Sequence, residues 1–160
     1  MKIITKTGNL MNVTSGHIVH GCNAQGVMGS GVALGIKNTF PEAYTDYLTQ
    51  HQEHGLTLGD AYLTVISEKL FVWNAITQNL YGQGPRQVSY DAIQECFAQI
   101  NSFIVAAQLN AMNDPPAEIH IPMIGAARGG GNWEIIREII EQTVQFPTTL
   151  WLPDSTVTTL

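Results

Sequence analysis

Residues 17–33, HIVHGCNAQGVMGSGVA, constrain the fold more than any other stretch of this 160-residue chain. His17, Ile18 and Val19 begin an apolar run that ends in Gly21-Cys22-Asn23-Ala24. Gly26, Gly29 and Gly31 then stud a loop around Val27, Met28 and Ser30, and Val32-Ala33 opens a helical pattern. A strand that turns through glycines into a helix leaves backbone N–H groups pointing outward, where the helix dipole favours negative charge. The segment therefore asks for a sheet with a helix laid on it, and it offers a seat for an anion. The glycines fall as GxxGxG rather than the dinucleotide GxGxxG, and no Lys-Ser/Thr follows, so neither common phosphate motif is present.

The rest of the pattern agrees with alternating strands and helices. Residues 2–6 and 17–21 predict strands, the second apolar enough to be a buried parallel strand. Val32, Ala33, Ile36 and Phe40 predict a helix to about Asn38. Pro41 suits the first turn of another, which Tyr44, Tyr47, Leu48 and His51 carry towards Gly55. Residues 61–66 and 70–76 predict a hairpin around Ser67-Glu68-Lys69. Ser89 can cap a long helix with Ile93, Cys96, Phe97, Ile100 and Ile104 on its apolar side. After the breaker Asn113-Asp114-Pro115-Pro116, residues 118–123 predict a strand, 133–142 a helix and 148–152 a last strand. This order implies one layered α/β domain without repeats or internal boundaries.

Two loops, 23–31 and 124–132, each follow a strand and precede a helix. Ligands of open α/β sheets bind beyond the carboxyl ends of the strands. Both loops therefore fall on one sheet edge, and two facing anion seats suit an elongated diphosphate.

The formal net charge of −6, with seven Lys and Arg in all, provides no basic face for duplex nucleic acid. A polyanionic ligand must be held mainly by backbone N–H groups. With 44% apolar and 12% charged residues the chain has the composition of a folded domain. Cys22 and Cys96 are expected as reduced thiols in a cytoplasmic protein. Residues 1–5 are too short an apolar run for a signal peptide, and no stretch approaches a membrane span. His51 and His54 lie one helical turn apart without a third ligand nearby in sequence, so they are read as surface residues and no metal is expected.

The residue types suggest roles. Asn23 offers an amide suited to a ribose diol, or else it bonds its own turn. His20 is either a nucleophile or general acid beside a phosphate, or a core histidine. Arg128, the one cation of either loop, can pair with phosphate or remain solvated. Trp73, Trp133 and Trp151 are read as packing residues.

Three motifs together resemble the macrodomain family over nearly the whole chain. They are Thr7-Gly8-Asn9-Leu10, the stretch from Asn23-Ala24 to Val32-Ala33, and Gly125-Ala126-Ala127-Arg128-Gly129-Gly130-Gly131-Asn132-Trp133-Glu134. The resemblance implies a single macrodomain over 1–160, a three-layer α/β/α sandwich with a central mixed sheet, that binds ADP-ribose without a cofactor. Residues 27–33 look most like the branch holding ADP-ribose 1''-phosphate phosphatases. By that likeness His20 is catalytic, Asn23 contacts the distal ribose, Asn9 and Leu152 border adenine, and Leu10 belongs to the ligand-binding residues. Residues Ala24, Gly26, Val27, Met28, Gly29, Ser30, Gly31 and Val32, with Ile124 to Asn132, enclose the phosphates. Two departures count against hydrolysis. Asn132 stands where relatives carry Asp, and Gln78 where the glycohydrolase branch carries a nucleophilic Lys, with Gly129 in place of an acidic residue. The leading expectation is a phosphatase acting on ADP-ribose 1''-phosphate. The alternatives are a non-catalytic ADP-ribose reader and a hydrolase freeing ADP-ribose from proteins by positioning a water.

Overall fold

The computed structural model describes residues 1–81, 87–111, 114–126 and 129–154. In chain order the strands are β1 (Ile4–Thr7), β2 (Gly16–Asn23), β3 (Ala61–Val65), β4 (Leu70–Gln78), β5 (Ile119–Ile121) and β6 (Thr148–Leu152). The helices are α1 (Gly31–Thr39), α2 (Pro41–Glu53), α3 (Tyr90–Asn110) and α4 (Trp133–Thr143), with a 3₁₀ turn at Leu10–Asn12. One six-stranded sheet has the order β1-β6-β5-β2-β4-β3. Its pairs are parallel except β3 with β4, which form the expected hairpin, so the sheet is mixed.

Helices cover both faces. Seven of the eight β2 residues are buried, because a central strand faces a helix layer on each side. Val19 packs with Ile93, Phe97, Ile100, Ile136 and Ile140 under α3 and α4. Its neighbour Ile18 packs with Ile36, Phe40 and Ala43 under α1 and α2. The period-2 alternation of one strand thus feeds two cores. Ser89 caps α3 as expected, its hydroxyl accepting from the Ala92 N–H at 3.1 Å.

Several elements differ from the sequence reading. β2 and β4 run on to Asn23 and Gln78, with a register shift between Cys22 and Asn23 that sets Asn23 beside Gln78. β5 stops at Ile121 because Pro122 has no N–H to give to a ladder. The 3₁₀ turn at Leu10–Asn12 is too short to announce itself by periodicity. Both cysteines are free and buried. Among the described residues no helix is long and apolar enough to cross a membrane.

Candidate functional site

Since β1, β6, β5, β2 and β4 run parallel, their carboxyl ends meet at one edge of the sheet. The 23–31 loop leaves β2 and the 124–132 loop follows its neighbour β5, so both loops lie on one edge of the sheet, as expected. Asn9 follows β1 and Leu152 ends β6, and the Gly8 N–H donates to the Leu152 carbonyl at 2.8 Å. At about 4.8 Å per strand, the row from β1 to β2 spans about 14 Å. An elongated ligand can lie along it.

The first loop is held from beneath. Met28 is 2% exposed and packs with Cys22, Tyr47 and Ile76, so its side chain anchors the loop and only its backbone can meet a ligand. Asn23 organises the turn. Its Oδ1 accepts from the Gln25 N–H at 2.9 Å, the Val27 N–H at 3.4 Å and the Tyr47 hydroxyl at 2.9 Å, while its Nδ2 donates to the Val27 carbonyl at 2.7 Å. These bonds give Asn23 the turn role that its residue type allowed. Ala24 N–H and Gln25 Nε2 both donate to the Asn79 carbonyl, tying the loop to the end of β4. Gly29 and Ser30 are exposed at the tip, and α1 begins at Gly31 with φ +61°. Ser30 caps α1 without a side-chain hydrogen bond. Among the described residues the N–H groups of 29, 30 and 31 meet no protein acceptor, as the N-terminus of a helix leaves them. Val27 and Val32 are the exposed apolar rim.

The second loop folds on itself. Gly131 N–H donates to the Gly125 carbonyl at 2.8 Å, and the Gly129 carbonyl accepts from Gln87 and Val88. A Cβ at Gly129 would lie 2.7 Å from the Gly125 carbonyl oxygen, so this turn requires glycine. Gly130 is exposed with φ +71°. Ala126 is half-buried. Ala127 and Arg128 lie outside the described residues. Ile124, 2% exposed, belongs to the α3/α4 core, and Leu10, 6% exposed, to the α1/α2 core. Both side chains are corrected from ligand contacts to supports. Asn132 is the N-cap of α4, its Oδ1 accepting from the Glu134 N–H at 2.9 Å while the Tyr90 hydroxyl accepts from its own N–H at 3.0 Å. Asn9 plays the same capping part for the 3₁₀ turn, accepting from the Met11 N–H at 2.9 Å, and remains exposed.

His20 is the main correction. Its residue is 0% exposed. The Asn74 amide is oriented by Nδ2, which donates to the Ala43 carbonyl at 3.1 Å. Asn74 Oδ1 therefore faces His20, and His20 Nε2–H donates to it at 2.6 Å. Burial pushes the imidazole pKa from 6.5 down to about 4, against the opposing Asn74 hydrogen bond. The alternation that places Val19 towards α3 turns His20 towards α2, inside the protein, where it reaches no ligand in the cleft. Cys22, at 3.6 Å from His20 Nε2, is equally enclosed, and burial raises its thiol well above the ordinary range.

Sequence reasoning missed three residues here. Tyr47 donates to the Asn23 carbonyl at 2.6 Å, but in the sequence it is only one apolar-face aromatic of a helix. Thr77, 1% exposed, keeps a buried hydroxyl without a partner among the described residues, beneath Gly21 and Ile124. His51, read as a surface residue, packs on Gly26. Gln78, beside Asn23, donates Nε2 to the Leu80 carbonyl at 2.6 Å. Among the described residues no group of three or more His, Cys, Asp or Glu could hold a metal. Of the concave surfaces, a groove between Asn9, Asn12, Glu118, His120 and Trp151 follows the β1–β2 connection, while another by Asp46, Glu53, Tyr62 and Phe103 opens at the far β3 edge.

A macro domain model matches residues 19–140, and the chain belongs to the macro domain family. A 17.5 kDa protein from the tk-vs intergenic region of Enterobacteria phage T4 is 35% identical over 129 residues, 78% of this chain and 77% of that one. The DNA ADP-ribosyl glycohydrolase of Thermus aquaticus is 23% identical over 143 residues, which are 86% of this chain but 36% of that enzyme. A structure from Bacteroides thetaiotaomicron superposes with a TM-score of 0.81 at 26% identity, covering 94% of this chain and 98% of the other. The fold also matches Thermosipho africanus DarTG in complex with ADP-ribose, with a TM-score of 0.73 at 16% identity, over 97% of this chain and 43% of that one.

Proposed function

We propose that this protein binds an ADP-ribosyl group along the carboxyl edge of its sheet, with the diphosphate between the two glycine-rich loops. One observation carries the reading. Neighbouring parallel strands β2 and β5 each end in a glycine loop that feeds a helix N-terminus, which gives two anion seats side by side. Adenine then falls towards Asn9 and Leu152, and the distal ribose towards β2 and Gln78. The ADP-ribose held by the Thermosipho relative and the name of the Thermus enzyme support the same ligand.

Hydrolysis of an ADP-ribosyl linkage to a macromolecule is the catalytic reading that the Thermus relative favours. Gln78 offers no lysine-like nucleophile, so the attacking group in that reading is a water. A phosphatase acting on ADP-ribose 1''-phosphate would need a proton carrier other than His20, which is enclosed.

Calorimetry with ADP-ribose and AMP tests the binding claim. ADP-ribose should bind roughly 10–100-fold more tightly, since AMP lacks the second phosphate and ribose and forfeits charged hydrogen bonds. Equal affinities would overturn the diphosphate assignment. The same preparation, incubated with ADP-ribose 1''-phosphate, ADP-ribosylated protein and ADP-ribosylated DNA, identifies the reaction by its product. Release of ADP-ribose from a macromolecule supports the hydrolase. Tight binding without any product supports the reader.

A further inference from the structure

We propose that the outer edge of β3 is a docking site for an extended peptide in which apolar and basic residues alternate. This face lies away from the glycine-rich loops, and the proposal does not depend on what they bind.

β3 ends the sheet, with β4 as its strand neighbour. In an antiparallel pair every second residue turns its N–H and C=O to the partner, and the others turn theirs outward. Tyr62 lies opposite Asn74 and Thr64 opposite Val72, and the Ile66 N–H donates to the Leu70 carbonyl at 2.9 Å. The even-numbered residues therefore face β4, and Ala61, Leu63 and Val65 direct their backbone groups away from the sheet. The Ala61 N–H agrees with this phase, since it donates to Gln99 of α3 at 2.9 Å. Among the described residues nothing accepts from the outward N–H of Leu63 or Val65.

Natural edge strands are blunted by lysine, proline, a bulge or a covering loop. The opposite edge follows that rule, because β1 carries Lys6. β3, Ala-Tyr-Leu-Thr-Val, has neither charge nor proline, and its register with β4 is unbroken. Val65 is 59% exposed. An edge left open in this way is a template for one more strand.

A groove follows the edge, and its two walls differ because strand side chains alternate between faces. On the α3 side Leu63 lies with Trp73 and the exposed Phe103, whose rings meet edge to face with centroids 5.2 Å apart. On the α2 side are Asp46, Gln50 and Glu53. The Thr64 hydroxyl donates to Asp46 at 2.7 Å and holds that carboxylate in place. Glu53, 3.9 Å from His54, has a largely exposed side chain. No Lys or Arg lines the groove. A strand added at Leu63 and Val65 sends one set of side chains towards Phe103 and the alternate set towards Asp46 and Glu53. Apolar residues suit the first wall and Lys or Arg the second. The same charges disfavour a second copy of this chain. Two-fold pairing of β3 with β3 would gather the carboxylates of both copies at one seam, in a chain of formal net charge −6.

Fluorescence anisotropy with a labelled peptide of alternating valine and lysine, about eight residues long, tests the proposal, with a valine–glutamate peptide as control. The lysine peptide should bind roughly ten-fold more tightly than the control, as attraction to two exposed carboxylates becomes repulsion. Glu53→Lys should weaken the lysine peptide about five-fold. Leu63→Pro removes an outward N–H and spares the ladder to β4, and should weaken the peptide roughly ten-fold, the scale of a lost backbone bond at the seam. Thermal melts identify the folded variants, and Val65→Pro, at an exposed position with the same outward N–H, replaces Leu63→Pro if that protein does not fold. A folded proline variant that binds like wild type overturns the proposal, because charge alone then holds the peptide. Unchanged affinity in Glu53→Lys, or a wild type that binds neither peptide or prefers the glutamate one, overturns it too. Sedimentation showing a stable dimer that the proline variant dissociates would give the edge to a second copy and also overturn it.

Discussion

His20→Ala should lower the melting temperature by roughly 6–12 °C, while the protein that remains folded binds ADP-ribose with near wild-type affinity. The imidazole is fully enclosed and hydrogen-bonded to Asn74, so its removal leaves a cavity and an amide oxygen short of its donor. Together these cost about 2–5 kcal/mol. The same burial predicts an acid limb of stability. The folded-state pKa of His20 is depressed from 6.5 to about 4, so the unfolded chain binds more protons as pH falls. Its contribution is fully present above about pH 6.5 and is lost progressively down to about pH 4. The change is about 3 kcal/mol for this one residue. His17 and His120, whose pKa values burial also lowers, act in the same direction. Thermal melts between pH 4 and pH 8 should show wild type losing stability across this window and His20→Ala losing less. An unchanged melting temperature with abolished turnover would instead return His20 to the chemistry.

Gly29→Val is the converse case, a large loss of binding at little cost in stability. A Cβ at this position would meet only Val27 Cγ1, at an ordinary 3.6 Å, and Gly29 is not among the glycines with positive φ. The fold has room for the side chain, but a ligand approaching the N–H groups at the start of α1 has not. Loss of hydrogen bonds to a charged phosphate predicts about 10–100-fold weaker ADP-ribose binding. Calorimetry paired with a thermal melt reads both halves. Wild-type affinity in a stable Gly29→Val protein would move the phosphate away from this loop.

The two neighbouring loops could be read from the sequence because they depend on order alone. A strand, glycines and a helix, met twice, fix both loops on one edge once the strands are parallel. What side chains do at that edge depends on which way each one points. His20 and Val19 are both compatible with an apolar strand, and only the helices packed on either face decide which is enclosed and by what. Asn23 illustrates a different limit. Its turn role was one of two readings, and the bond that supports that turn comes from Tyr47, 24 residues away and invisible to local pattern. His51 was legible only as a helix-surface residue, because its contact with Gly26 arises from how α2 packs beside the loop. Ser89 and residues 148–152 were read correctly for the opposite reason, since a cap and a strand period are local.

The central claim is that the two glycine-rich loops hold one diphosphate, and a crystal structure of the protein soaked with ADP-ribose addresses it directly. Phosphate oxygens are expected at about 2.7–3.2 Å from backbone N–H groups of residues 29–31 on one side and 129–130 on the other, with adenine towards Asn9 and Leu152. ADP-ribose bound in the far groove beside Asp46 and Phe103, with both loops empty, would contradict it.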